Sequence, residues 1–291
     1  MRKLRSQVRI LVGAPKFKVS IDMTSYTPEH FAPKRLYTFG CSFTHFFWPT
    51  WADILGSTYD HYENWACSGY GNRAIVERLS ECVTHNNLTK DDTIIVQFTD
   101  FHRHDIHQQG IEPNNISNWR LGGNIWVKEI EMEWVKDFWS ESSYVYHTCN
   151  FITMALALLK SLPCKFHITS MVDLRDDIKQ FHPGYMKMFN DEINWKQDFL
   201  GFCAQEKYQG IAHKQRIWDS TIKKLITKTT VDMHPTSKMH LKWLQQNFNF
   251  NETNEFIEKI KQMPDDIIDA GSKEFNENLN WQNNQYRIKG I

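Results

Sequence analysis

The sequence predicts an α/β fold with a parallel, doubly wound sheet, and three observations carry that prediction. From Arg35 onward, short apolar runs alternate with helical patterns, which is the signature of βαβ units. One run, DDTIIVQFT (Asp91 to Thr99), has a continuous apolar centre, as a strand covered on both faces requires. The first three runs each stop on small or polar residues, where a ligand site in such a sheet forms.

The elements follow in order. RLYTFG, from Arg35, is a buried strand that ends on Gly40, Cys41 and Ser42. PTWADILGS (Pro49 to Ser57) is a short helix. YENWA (Tyr62 to Ala66) is a second strand, closed by CSGYGN. In GNRAIVERLSECVTHN (Gly71 to Asn86), Ile75, Leu79, Cys82 and Val83 recur at helical spacing. Asp91 to Thr99 is the third strand, SSYVYHTCNFITMALALLKSL a long helix, and CKFHITSM (Cys164 to Met171) the fourth strand. Helices are expected at HKQRIWDSTIKKLITK (His213 to Lys228) and TSKMHLKWLQQNF. Two stretches break the alternation, His102 to Val135 and Val172 to Ala212, and their length suits lids or binding insertions.

Composition narrows the function classes. The 291 residues carry 34 basic and 34 acidic side chains, so no global field favours nucleic acid or an anionic membrane surface. The six cysteines, Cys41, Cys67, Cys82, Cys149, Cys164 and Cys203, form no CxxC pair and read as reduced thiols of a cytoplasmic-type compartment. The longest apolar run, Phe151 to Leu162, is too short to span a bilayer. Eleven Trp and nineteen Phe suit a core first and a sugar-stacking surface second.

The basic N-terminus, MRKLRSQVRILVGAP, has too short an apolar part for a secretory leader. Val8-Arg9-Ile10 can be encoded by GTTCGAATC, a tRNA T-loop sequence, and Ala14-Pro15 by GCACCA, a tRNA acceptor end. The expectation is a reading frame extended through a tRNA gene, with Met23 as the start, an arrangement found in phage and integrated elements; a genuine basic arm is the alternative. Residues 1–34 are therefore set apart as an extension. Residues 35–250 form the expected domain, and residues 251–291 a C-terminal helix and polar tail.

Four fragments carry chemistry. GCSFT puts Ser42 at the end of the first strand, before a helix. VDMHP (Val231 to Pro235) puts a carboxylate and an imidazole on one short loop. A serine needs a base to take its proton, and the base needs a partner that fixes its tautomer. His234 and Asp232 supply both, although the same residues also make a helix N-cap turn. SGYGN and QFTD follow strands, where glycine lets backbone N–H groups approach an oxyanion.

Together these fragments resemble the SGNH/GDSL hydrolase superfamily. GCSF stands for its first block, NWACSGYGN for its second, IIVQFTDFHR for its third and DMHPTSKMH for its last, so the resemblance runs from Gly40 to His240. It implies a three-layer α/β/α sandwich with a central parallel sheet, of SGNH/flavodoxin-like type. It also implies hydrolysis of an acyl ester, often acetyl, on a sugar or lipid. Ser42 matches the nucleophile, and Gly69 or Gly71 the oxyanion glycine. Two blocks depart from the family pattern. QFTD lacks the usual asparagine, leaving Thr99, Arg103 or Asn72 as donors to the oxyanion, and Asp and His are spaced D-x-H-P rather than D-x-x-H.

The expected site is thus Ser42, His234 and Asp232 for catalysis, with Gly69, Gly71, Asn72, Thr99, Asp100 and Arg103 around the oxyanion and substrate. Neither a metal nor a cofactor is expected: His102, His104 and His107 read as solvated or hydrogen-bonded. Cys41 reads as packing, His240 as a satisfied structural histidine, and His45 has no assigned role. The Trp-rich Asn118 to Trp126 and the acidic Glu129 to Trp134 suit either a sugar platform or a packed lid. The expected partner is a small-molecule or glycan ester, with no nucleic acid and no membrane, and with virion association for a phage protein. A catalytically inactive glycan- or protein-binding domain, or an O-acyltransferase using the same triad, fits the same residues.

Overall fold

The computed structural model describes residues 33–107, 119–120, 137, 139–190, 193, 195–219, 221, 223–263 and 267–268. The expectations for residues 1–32, most of His102 to Val135 and the tail after Ile268 lie outside these.

Four strands form one parallel sheet: β1 (Arg35–Phe39), β2 (His61–Asn64), β3 (Thr93–Phe98) and β6 (Lys165–Ser170), in the order β2-β1-β3-β6. Leu36 faces Tyr62 on one side and Thr93 on the other, and Ile94 faces Phe166. The second strand stops at Asn64 rather than Ala66 because the Asn64 side chain turns the chain there. Its Oδ1 accepts the Ala66 N–H, and its Nδ2 donates to the Thr44 carbonyl. Between β3 and β6 lie the two-residue strands β4 (Ile106–His107) and β5 (Trp119–Arg120), paired antiparallel.

The alternation of side chains along the strands assigns each sheet residue to one of two apolar clusters. Tyr37, Phe39, Ile94, Val96 and Phe98 join one cluster with α2 (Asn72–His85) and α3 (Glu141–Ser161). Leu36 and Ile95 join the other, with α1 (Trp51–Gly56), α5 (Phe199–Gln205), α6 (Ser237–Phe248) and α7 (Glu255–Gln262). The chain therefore leaves β1 toward α1, and leaves β3 toward α3 in the opposite cluster. Loops that diverge in this way open a crevice at the carboxyl ends of β1 and β3. Among the described residues no helix is long and apolar enough to cross a membrane.

Two expectations are corrected. His213 to Lys228 is not a helix: β7 (Ile211–Asp219) and β8 (Lys224–Asp232) form an antiparallel hairpin, with β9 (Ile267–Ile268) parallel to β7. Trp218, Ile222, Leu225 and Ile226 do recur at helical spacing. The stretch is also dense in β-branched residues, however, and cross-strand pairing decides between the two readings. Lys223, at φ 47°, takes a left-handed turn conformation between the strands. Nor is Val172 to Ala212 a lid. It contains α4 (Arg175–Phe181), a 3₁₀ turn (Pro183–Phe189) and α5, and it contributes Ile178, Met188, Phe199 and Phe202 to the two clusters.

All six cysteines are buried and free. Burial pushes the Cys149 thiol up to about 11 and the Cys203 thiol up to about 12, so neither carries an appreciable thiolate near neutrality.

Candidate active site

The turn after β1 is built on Gly40. The Cys41 carbonyl accepts the N–H groups of Thr44 and His45 at 2.9 and 3.0 Å, which folds the chain back at once and sets Ser42 in the bend. Thr44 then lies against Gly40 and donates its hydroxyl to Gln97 Oε1 at 2.8 Å, tying the turn to β3. A Cβ at position 40 would stand 2.1 Å from the Thr44 hydroxyl oxygen. Gly40→Ala is expected to displace Thr44, break the bond to Gln97, and lower the thermal midpoint together with any activity at Ser42. Thermal melts read the first effect, and an alanine variant that melts with wild type would rule it out.

The imidazole that meets Ser42 comes from a distant part of the chain. β8 ends on Asp232, and Thr236 caps α6 by accepting the Met239 N–H at 3.3 Å. Asp232 Oδ1 accepts both the backbone N–H of His234, at 2.8 Å, and its ring Nδ1, at 2.6 Å. A carboxylate two residues ahead can reach both groups at once, which is why the D-x-H spacing works. An ionised carboxylate only accepts, so the proton sits on Nδ1 and leaves Nε2 as an acceptor. Nε2 stands 2.8 Å from Ser42 Oγ. The helix cap is made by Thr236, while Asp232 bonds the His234 ring.

Aromatic residues the sequence did not single out hold this pair in place. Phe46 stacks on the His234 ring with centroids 3.8 Å apart, and Phe43 lies against it at 5.2 Å. Trp48 Nε1 donates to the Pro235 carbonyl at 2.8 Å, and Ser237 Oγ to the Pro49 carbonyl at 2.7 Å. Both bonds join the loop after β1 to the loop before α6. Tyr208 donates its hydroxyl to the His234 carbonyl at 2.8 Å. The run FFWP, separated from GCSFT by His45 alone, was the available signal: aromatics beside a bend are anchors for whatever packs over it. Two exposed apolar side chains, Phe47 and Met233, flank the triad in sequence.

The candidates around the oxyanion separate. Gly69 has φ 91° and is the third residue of a turn closed by the Tyr70 N–H on the Cys67 carbonyl; that position requires positive φ, hence glycine. The same loop reaches the first turn through the Cys67 N–H on the Gly40 carbonyl. Gly71 is corrected as a donor: its N–H is committed to Asp105 Oδ1 at 2.7 Å. Asn72 is corrected too. Its Oδ1 accepts the Thr99 N–H, and its two amide hydrogens go to the Thr99 carbonyl and Thr148 Oγ1. It is a staple between α2, α3 and the end of β3. Asp100 Oδ1 holds His102 through its backbone N–H and ring Nδ1.

Thr99 and Arg103 meet at one atom. The Thr99 hydroxyl and Arg103 Nη2 each donate to the Met171 sulfur at 3.7 Å, and Cys41 Sγ lies 3.9 Å from that sulfur. Arg103 Nη1 donates to the Tyr70 carbonyl at 3.2 Å. Asp105 accepts from Gly71 and Ala74 through separate oxygens, and its burial raises its pKa above the usual carboxylate range. A cavity of about 290 Å³ lined by Asn72, Phe101, Arg103, Asp105, Tyr144 and Thr148, among others, lies beside this region and includes no member of the triad.

The remaining histidines differ, and the expectation of a satisfied His240 is corrected: its Nδ1 is buried without a hydrogen-bond partner among the described residues. His104 Nδ1 is hydrogen-bonded to the Tyr144 hydroxyl at 2.8 Å, and burial lowers its pKa. The His107 side chain lies outside the described residues. His240 is fully buried against Phe199, with ring centroids 4.6 Å apart, and burial holds it neutral, with its pKa well below the ordinary value. His45 contributes its carbonyl, which accepts the Ser68 hydroxyl at 2.7 Å. Compared with known proteins, the chain matches no family model and no curated protein.

Proposed function

We propose that this protein is a serine ester hydrolase of SGNH type, acting on an acyl ester, acetyl among them, of a carbohydrate or similar alcohol. One observation carries the reading. Ser42 Oγ, His234 and Asp232, brought together from residues 192 apart in sequence, form an unbroken relay with contacts of 2.8 and 2.6 Å. Both lie within the hydrogen-bond reach that a nucleophile, its base and the orienting group require. The three-layer α/β/α arrangement of that superfamily is supported by the two apolar clusters, which take alternate sheet residues. The order β2-β1-β3-β6 also begins as flavodoxin-like sheets do.

In this mechanism Ser42 Oγ forms a bond to the acyl carbon while its proton passes to His234 Nε2. The carbonyl electron pair moves onto oxygen. Collapse breaks the bond to the alcohol, which takes the proton from His234. Water, deprotonated by the same imidazole, then releases the acid and frees Ser42. Asp232 stays ionised and stabilises the imidazolium.

A fluorophosphonate probe tests the proposal. It is expected to label wild type at Ser42, located by peptide mass spectrometry, and to leave Ser42→Ala unlabelled. Absence of label at Ser42, with p-nitrophenyl acetate hydrolysed at equal rates by both proteins, would favour the second reading, a binding domain that keeps the fold. The commitment of Asn72 to Thr99 and Thr148 is the observation on that side.

A further inference from the structure

The inference concerns the side-chain half of the oxyanion hole and rests on the esterase reading. Neither Gly71 nor Asn72 fills that place, since they spend their donors on Asp105, Thr99 and Thr148. We infer that Arg103 is the catalytic cation of this site, its guanidinium receiving the negative charge that develops on the acyl oxygen.

Three observations place it. The first is topological. With all four strands parallel in the order β2-β1-β3-β6, the loops that follow them line up along one edge in the same order. Arg103 Nη1 is bonded to Tyr70 in the loop after β2, and Nη2 to Met171 just after β6. A guanidinium held between the two outer loops lies across the ends of the two inner strands, and the Ser42 turn follows one of those ends.

The second is proximity. Cys41, the neighbour of Ser42, lies 3.9 Å from the same Met171 sulfur that takes Arg103 and Thr99. Met171 thus ties the turn that carries Ser42 to the segment that carries Thr99 and Arg103.

The third is the weakness of its partners. A buried or half-buried guanidinium ordinarily takes a carboxylate in a two-point fork. Here its hydrogen bonds go to one carbonyl and one thioether, and sulfur of that kind is a weak acceptor. The neighbouring carboxylate of Asp105 feels the Arg103 charge, but its hydrogen bonds are to the Gly71 and Ala74 N–H groups and not to the guanidinium. Donors resting on a thioether turn to an oxyanion at little cost, and a full positive charge there exceeds what a neutral amide offers. The Thr99 hydroxyl, on the same sulfur, is placed to follow.

The test uses the full chain with p-nitrophenyl acetate. Arg103→Met is expected to lower kcat by about 100-fold or more with KM nearly unchanged, Arg103→Lys to lose less, and guanidinium in the assay to restore part of the Arg103→Met rate. A structural role would not produce that rescue or that split between kcat and KM. The inference is overturned if Arg103→Met stays within a few fold of wild type. It is also overturned if its loss is shared by Arg103→Lys, falls equally on KM and resists guanidinium, since Arg103 would then only hold the Tyr70 loop. A wild type no faster than Ser42→Ala overturns the esterase reading and Arg103's role with it, an outcome distinct from the other two.

Discussion

Ser42→Ala is expected to lower the turnover of p-nitrophenyl acetate by roughly 10⁴-fold or more while leaving the thermal midpoint near wild type. The change removes one hydroxyl whose hydrogen bond is to a half-exposed ring, so little folding energy depends on it. His234→Ala is expected to cost about as much as Ser42→Ala, and the double variant no more than either. Residues that act on one proton fail as a unit, and their losses do not add. Asp232→Ala should cost less, because the hydroxyl and imidazole remain and only the tautomer and orientation are lost. Steady-state rates of the four proteins decide the matter. If the single losses multiplied in the double variant, Ser42 and His234 would be acting independently and the relay would be wrong.

The second large effect is on stability, at Asn72. Asn72→Ala removes three hydrogen bonds at one buried point and leaves the Thr99 N–H and carbonyl without their partners. Unsatisfied buried groups of this kind cost roughly 3 kcal/mol in total, which lowers the midpoint by roughly 5–10 °C for a chain of this size. Activity is expected to fall as well, since the segment released leads to Arg103. Thermal melts alongside kinetics separate this from the role the sequence suggested. A donor to the oxyanion would lower kcat and leave the melt unchanged; a staple lowers the melt. An Asn72→Ala protein that melts with wild type but turns over a hundredfold more slowly would sink the staple.

Asn72 also illustrates what a sequence hides. Its position after the second strand is legible, and an asparagine near a strand end looks like a donor. What it donates to depends on Thr99 and Thr148, residues 27 and 76 positions away, and no local pattern records that. Arg103 has the opposite history. The sequence offers it as one of three donors to the oxyanion without ranking them, and its bonds to Tyr70 and Met171 belong to the tertiary structure. The hairpin from Ile211 to Asp232 is hidden in the sequence for a related reason. Its apolar residues fit a helix as well as a strand, and the choice lies with the partner strand.

Local chemistry, by contrast, was readable. The runs that became β1, β3 and β6 are apolar because both faces of the sheet are covered, and burial on two faces leaves a mark in the sequence itself. Gly40 before Cys41 and Ser42 announced a bend, since a side chain there would strike Thr44. Asp232 and His234 announced each other because a carboxylate two residues before a histidine reaches its ring without help from the rest of the fold. The sequence by itself therefore determined an α/β chain with a serine at a strand end and a self-orienting Asp–His pair. Tertiary structure alone decided that His234 meets Ser42, that Phe46, Trp48 and Tyr208 hold it there, that Asn72 is consumed as a staple, and that Arg103 spans the strand ends. The physical reason is range. A bond across two residues is fixed by covalent geometry, whereas a contact across 192 exists only after both apolar clusters have closed on the sheet and brought the two loops together.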